Sequence, residues 1–340
     1  MMGYLTIHDL PAPPSGKTGW PWTVETVING KHEIHSPPLI SIVTPSYNQG
    51  QFFEETIRSV LLQGYRNLEY IVVDGGSSDN SVEIIQKYSP WLTRWLSEPD
   101  RGQSHALNKG LSLCSGDLVG WINSDDMLLP GALFHLATLH QRYPSSILLA
   151  DVVNRDECHR QTWRLRQRHV TFKDFCEHWR RAVTWHQPGT FFPLSLYRQV
   201  GTFDEGLCNL FDWEWMCRAL QIAPVQYLDY PVALFRYHGD SKTFGDRLKW
   251  IDEKCRITQR YFTPLLRSDS QLANAILEMV AADSYLMLHG RDRNNGVQHL
   301  RKAVETDYRV LKWKRYWLLW AKAILPLSLL HFFRSILKSF

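Results

Sequence analysis

The 340-residue sequence lacks several features that would have directed it elsewhere. Its six cysteines, Cys114, Cys158, Cys176, Cys208, Cys217 and Cys255, form no CxxC pair. That argues against a zinc site or a redox couple and suits reduced, mostly buried thiols in a cytosolic protein. No GxGxxG fingerprint and no P-loop follows a strand-like run, so dinucleotide and Walker-type readings fail. The net charge of +4 is modest and spread out until the C-terminus, with no basic tract of the nucleic-acid-binding kind. Met1 to Leu10 lacks the apolar core of a signal peptide. The apolar window Tyr316 to Phe333 is interrupted by Lys322, Pro326 and His331, which is poor for a spanning helix. Aromatics are abundant, with 14 Trp, which fits a large core, a sugar-stacking cleft or both. The length allows one large domain plus an appendage.

The stretch Gly116 to Pro130 organises the rest. Leu118 to Ile122 is a short apolar run of strand length. Asp125 and Asp126 come just past its end, where open α/β sheets place their ligands. Adjacent acids there are costly unless solvated, paired or bound to a cation. A hard cation completed by substrate phosphates suits them, and so does a solvated Asp-rich turn.

Residues 1–37 are rich in Pro and Gly and read as an irregular arm. Strands are expected at Leu39–Thr44, Leu68–Val73, Trp91–Leu96 and Ile147–Val153, with helices at about Gln51–Leu62, Asn80–Tyr88, Ser104–Leu113 and Pro130–Tyr143. Strands alternating with helices predict an α/β fold with a mostly parallel sheet. Asp74 ends the second strand on the same edge as Tyr47 and Asp125 and can accept hydrogen bonds from a base or ribose. A turn-capping role suits Ser77, Ser78 or Asp79 better than Asp74. Arg101 falls at a strand-to-helix turn, suited to a diphosphate or to an ion pair with Glu98 or Asp100.

Four segments, Pro45-Ser46-Tyr47-Asn48, Val73-Asp74-Gly75-Gly76-Ser77-Ser78-Asp79, Ser97-Glu98-Pro99-Asp100-Arg101-Gly102 and Asn123-Ser124-Asp125-Asp126, occur in the order and spacing of one family. The chain resembles the family 2 glycosyltransferases of GT-A (Rossmann-like) fold over about residues 38–242. The resemblance implies that Thr44, Pro45, Tyr47, Asn48 and Asp74 hold the nucleotide, that Asp125 faces the ribose, and that Asp126 binds a divalent cation, Mn²⁺ or Mg²⁺. Two further segments match. His186-Gln187-Pro188-Gly189-Thr190-Phe191-Phe192 resembles a cleft-lining segment, in which His186 contacts donor or acceptor or is structural. Arg236-Tyr237-His238 with Ser241 matches an Arg-x-His-x-x-Ser closing segment, which implies that His238 completes the metal site or touches the diphosphate.

Asp212 starts a partly buried helix. By position alone it reads as an N-cap; in the family the acid at this place is the catalytic base. Phe211 replaces the Glu usual before it, and Glu214 is the alternative carboxylate. His105 stands where this subgroup often carries Asp before Ala-x-Asn-Lys-Gly. The implied function is inverting, metal-dependent transfer from a nucleoside-diphosphate sugar to a hydroxyl of a glycan or lipid-linked acceptor, in polysaccharide or glycolipid synthesis. The alternatives are a sugar nucleotidyltransferase, which would want a Gly-rich loop with Arg and Lys after the first strand, and a non-catalytic nucleotide-sugar-binding relative.

The expected organisation is the arm at 1–37, a glycosyltransferase domain at 38–242 (nucleotide half 38–130, acceptor half 131–242), a helical extension at 243–311, and a basic-aromatic tail at 312–340. In the tail Lys312, Lys314, Arg315, Lys322, Arg334 and Lys338 are interleaved with Trp and Phe. That mixture predicts an interfacial helix on the cytoplasmic face of the plasma membrane, or an amphipathic helix packed on the domain.

Overall fold

The computed structural model describes residues 5–26, 34–157, 160–168, 170–177, 183–239, 242, 247–266, 269–287 and 292–325. Ser241 of the closing segment and the tail beyond Leu325 lie outside the described residues. Two compact units are present: Met1–Val170 with Thr184–His238, and Thr171–Val183 with Gly239–Phe340.

The first unit opens with strand β1 (Ile40–Ser46), helix α1 (Gly50–Leu61), β2 (Leu68–Asp74), α2 (Ser81–Tyr88), β3 (Arg94–Ser97), α3 (Gln103–Ser112) and β4 (Leu118–Trp121). β5 (Met127–Leu128), α4 (Ala132–Arg142), β6 (Ile147–Asp156) and β7 (Gln161–Leu165) follow. α5 (Phe172–Cys176) belongs to the second unit. β8 (Thr190–Pro193), α6 (Leu194–Val200), α7 (Phe211–Ala219) and β9 (Val225–Tyr237) complete the first.

Among the described residues the strands form one sheet in the order β3-β2-β1-β4-β8-β6-β9-β5, with β7 on β6. β3, β2, β1 and β4 run parallel, and β8 reverses direction against β4. The sheet is therefore mixed and mostly parallel in its first half, as expected. β1 and β2 are buried almost throughout, which is why they read as continuous apolar runs.

The differences from expectation are local. Ser89–Trp91 is a 3-10 turn, so β3 starts three residues later than Trp91. Pro130 lies outside α4, because Gly131 takes the capping position with φ +74. The two-residue β5 was too short to give a periodic signal.

The N-terminal arm is pinned by a cation. Arg58 of α1 is fully buried and donates to the carbonyls of Pro11 (2.8 Å), Pro21 (3.1 Å) and Trp22 (3.3 Å). Arm carbonyls without a ladder partner thereby gain a charged donor.

The second unit also holds α8 (Arg247–Tyr261), α9 (Ser270–Met287), α10 (Arg293–Thr306) and α11 (Lys314–Ile324). Tyr316, Leu319 and Ala323 of α11 share a core with Met279, Ala282 and Leu300. Arg315 and Lys322 turn inward to Asp283 of α9, at 2.8 and 3.5 Å. Trp317 and Ile324, seven residues apart on one helix face, are 53% and 64% exposed. The sorting expected of an interfacial helix, with its own cations among head groups, is thus inverted for Arg315 and Lys322. No helix among the described residues is long and apolar enough to cross a membrane.

Candidate active site

The carboxylate turn after β4 is held from three sides. The Thr56 hydroxyl of α1 donates to the carbonyls of Ser124 (2.9 Å) and Asp126 (2.6 Å). Asn123 donates to Asp126 Oδ2 (3.3 Å) and Gln187 Oε1 (3.4 Å), and accepts from Gln103 (2.7 Å). Arg236, at the end of β9, is 2% exposed. Its backbone N–H donates to Asp126 Oδ1 (3.0 Å), its guanidinium to the Asp125 carbonyl (2.6 Å) and to Glu55. The same guanidinium lies 5.3 Å from the Phe52 ring centroid. The sequence motif contained Arg236, but nothing in it announced a buried brace that joins β9, the turn and α1.

The two acids differ. Asp126, the acid expected to bind the cation, is fully buried. Burial and the adjacent Asp125 charge push its carboxyl well above the usual carboxylate range, against the Arg236 contacts and the Asn123 hydrogen bond. Asp125 is the more accessible acid, and its Oδ2 lies 3.1 Å from His238 Nε2. The structure therefore joins Asp125 with His238 and sets Asp126 behind them. The ring of Phe52 packs on His238 at 4.5 Å.

The nucleotide-side residues fall at the ends of β1 and β2. Tyr47 is 61% exposed. Asn48 has φ +52, a left-handed conformation that Asn tolerates better than most residues. Its N–H donates to Ser77 Oγ, and its side chain accepts from Ser78 N–H, both at 2.8 Å, stitching the two loops together. Thr44 and Pro45 are buried within β1, and the Thr44 hydroxyl is 3.0 Å from Tyr70 OH.

Asp74 holds a turn, the role thought better suited to its neighbours. It is fully buried, and Oδ2 accepts from Gly76 N–H (3.1 Å), Ser77 N–H (2.9 Å) and Ser97 Oγ (2.9 Å). Oδ1 accepts from Ser77 Oγ alone among these contacts. A carboxylate has about four lone-pair sites, two on each oxygen, so Oδ1 keeps acceptor capacity for a further donor.

Arg101 is paired with neither Glu98 nor Asp100. Glu98 pairs with Lys109 (2.7 Å), and Arg101 pairs with Glu205, distant in sequence. His105 is settled: its Nδ1 accepts the Arg101 backbone N–H at 3.2 Å, tying down the start of α3. His186 is held by its backbone, donating to and accepting from Gln167, with its ring 4.4 Å from Phe235. Burial pushes its pKa down to about 4, so the ring is neutral near pH 7.

On α7 the cap position belongs to Leu210, so Asp212 lies inside the first turn. Its Oδ1 accepts the Trp213 N–H at 2.7 Å. Glu214 is 1% exposed and makes a forked contact with Arg218, at 2.8 to 3.1 Å. That carboxylate is committed to a buried ion pair, while Asp212 is partly accessible. Phe211, in place of the usual acid, enters the core against Phe203 at 5.3 Å.

The family model described as glycosyl transferase family 2 matches residues 41–200. An uncharacterized glycosyltransferase of Rickettsia typhi is 26% identical over 64% of this chain and 69% of its own length. Glycosyltransferase GlyG of Streptococcus pneumoniae is 32% identical over 41% of this chain and 46% of its own. An uncharacterized glycosyltransferase of Mycobacterium tuberculosis is 40% identical over 27% of this chain, which spans 35% of that relative's length. Among solved structures, S. aureus TarS in complex with UDP-GlcNAc aligns over 83% of this chain and 86% of its own, with a TM-score of 0.59 at 18% identity. Mannosyltransferase PcManGT from Pyrobaculum calidifontis, in complex with GDP-Man and Mn²⁺, covers 85% of both chains at a TM-score of 0.51 and 17% identity. The fold is GT-A. With the family match over residues 41–200 and glycosyltransferase relatives on the sequence side, that region of the chain is a glycosyl transferase family 2 domain.

Proposed function

We propose that the chain moves a sugar from a nucleoside-diphosphate sugar to an acceptor hydroxyl with inversion, aided by a divalent cation. The observation that carries this reading is the Asp125–His238 pair backed by buried Asp126, at the end of the sheet where Tyr47, Asn48 and Asp74 also converge. Two acids in one turn, one of them buried and pushed towards protonation, make a place where positive charge is favoured. The residues fit a hard cation, with Asp125 as the more accessible donor, His238 buried beside it and Asp126 behind them. Asp126 as the direct ligand fits less well, because it is enclosed. Bound Mn²⁺ or Mg²⁺ would supply charge neutralisation for the departing diphosphate. The PcManGT complex with GDP-Man and Mn²⁺, and the TarS complex with UDP-GlcNAc, support a nucleotide-sugar donor and a cation.

Asp212 takes the proton of the acceptor hydroxyl as its oxygen bonds to the anomeric carbon. The bond to the diphosphate oxygen breaks, and its electrons leave with the diphosphate. One displacement inverts the centre. Glu214 is excluded from the base role by its ion pair with Arg218. Tyr47 and Asn48 orient the nucleotide with the remaining acceptor capacity of Asp74, and Arg101, once released from Glu205, faces the diphosphate.

We place the enzyme at the cytoplasmic face of the plasma membrane, acting on a glycan or lipid-linked acceptor in cell-surface polysaccharide or glycolipid synthesis. The support is the end of the chain: from Tyr308 onward the sequence holds no acid, and beside Arg309, Arg315 and Lys322, which pair with Asp269, Asp283 and Asp307, it carries Lys312, Lys314, Arg334 and Lys338.

The test is donor hydrolysis across UDP-, GDP- and dTDP-sugars with Mn²⁺ and with Mg²⁺. Cation-dependent release of one nucleoside diphosphate is expected. No release from any donor would overturn the reading in favour of a non-catalytic binder.

A further inference from the structure

The face of the sheet beside the carboxylate turn carries an unusual row of rings. Asn154 of β6 lies opposite Trp163 of β7 and opposite Phe235 of β9, so the three share one face of the sheet. Tyr237, two residues along β9, falls on that same face. The Trp163 indole stacks on the Tyr237 ring at 5.5 Å with 20° between planes. Tyr237 meets Phe235 edge-on at 4.8 Å, and Phe235 lies 4.4 Å from the His186 ring. The row therefore runs His186, Phe235, Tyr237, Trp163. It ends on an indole that is 43% exposed, on a strand that among the described residues pairs on one side only.

Ring stacking alone would describe a hairpin staple. Two further observations point to a ligand. Asn154 is fully buried, yet neither its Oδ1 nor its Nδ2 has a hydrogen-bond partner among the described residues. The buried Nδ1 of His186 has none either. Buried polar atoms are nearly always satisfied, and leaving them unmade is costly. An amide and a neutral imidazole beside stacked rings are the groups that bind a sugar: hydroxyls hydrogen-bond to the former, and the ring's apolar face covers an aromatic. The row also passes next to the reaction centre, because its third ring, Tyr237, directly precedes His238.

We propose that this row is the acceptor subsite, and that the acceptor is a glycan whose pyranose ring stacks on Trp163. Its hydroxyls, through a water beneath the row, satisfy Asn154 and His186. This deepens the glycosyltransferase reading and rests on it: the acceptor hydroxyl belongs to a sugar ring and not to a bare lipid phosphate or a protein side chain.

The experiment uses the full chain and three soluble probes: the methyl β-glycosides of glucose, galactose and N-acetylglucosamine. Saturation-transfer NMR reports binding, and the Trp163 indole N–H resonance, assigned by its loss in Trp163→Phe, reports the place. At least one glycoside is expected to bind at millimolar concentration and shift that resonance. Trp163→Ala should weaken binding by about tenfold, the scale of an aromatic contact, while Trp163→Phe should keep most of it. Binding of no glycoside by wild-type protein that hydrolyses a nucleotide sugar would overturn the subsite and leave the catalytic reading intact. Binding that neither shifts Trp163 nor responds to Trp163→Ala would overturn it too. Should Trp163→Ala fail to fold, the indole shift in the wild-type protein decides alone. Absence of donor hydrolysis counts against the catalytic reading, independently of these results.

Discussion

Asp126 and Asp283 are both buried aspartates, one in each unit, and their surroundings push them in opposite directions. Asp126 has a second carboxylate beside it, an Arg236 backbone contact and one amide donor, and its carboxyl is held well above the ordinary range. Asp283 suffers the same desolvation, but Lys254, Arg315 and Lys322 converge on it, and those cations hold it well below that range. Burial sets the cost in both places, and the local sign of charge decides whether it is met. Asp283 is a satisfied structural anion. Asp126 belongs to a turn where one guanidinium, that of Arg236, is outweighed by burial and the neighbouring carboxylate, so a bound cation would relieve it.

Substitutions can break that contrast. The largest effect is expected from Asp283→Asn, which leaves three cations around a neutral group in the helical unit. Loss of a buried partner costs about 3–5 kcal/mol, so unfolding in urea should show a clearly lower midpoint. An unchanged midpoint would mean that the cations are better solvated than their burial implies. Asp125→Ala should remove cation-dependent binding of UDP or GDP with Mn²⁺, measured by calorimetry, while the midpoint stays put. Retention of that binding would return the ligand role to Asp126.

The next effect is kinetic. Asp212→Asn should lower turnover by about 10² or more, the usual scale for loss of a general base, with donor affinity kept. Glu214→Gln should instead lower stability through the abandoned Arg218. If Asp212→Asn is nearly as active as the parent and Glu214→Gln is dead with its fold intact, the base has been misassigned.

The smallest effect concerns acid. The folded pKa of Asp283 is depressed, so its contribution to stability is complete above the ordinary carboxylate range and is withdrawn only as pH falls below it. The folded pKa of Asp126 is raised, so it burdens the ligand-free fold fully above that pKa; the burden shrinks as pH falls from there and is gone only below the ordinary carboxylate range. Asp126→Asn should therefore leave the ligand-free protein at least as stable as wild type near neutral pH, measured by thermal melting. A clear loss of melting temperature would show that its hydrogen bonds to Arg236 and Asn123 outweigh the charge.

Much of this architecture was legible in the chain. Strand-length apolar runs placed β1, β2, β4 and β6 within a few residues, because a strand buried on both faces needs apolar residues at nearly every position. Motif order placed Asp125 and His238 in one neighbourhood, and the structure sets them 3.1 Å apart. What stayed hidden were contacts made at long range. The Glu205 partner of Arg101 is 104 positions away, and no local pattern announces it. The burial of Asp126 depends on Arg236 arriving from β9, 110 positions on. The turn-holding role of Asp74 was missed because Ser77, Ser78 and Asp79 offered the same chemistry nearer the helix.

The inward cations of α11 decide where this polypeptide can be shortened. A truncation before Lys312 would delete the tail, but it would also strip Arg315 and Lys322 from Asp283 and remove Tyr316, Leu319 and Ala323 from their core. Its phenotype would mix unfolding with any loss of membrane contact. The informative cut follows Leu325, where the helix has ended and its ion pairs are complete. A protein ending there keeps its anchor helix seated, so any difference from the full chain in liposome flotation reports on residues 326–340 alone.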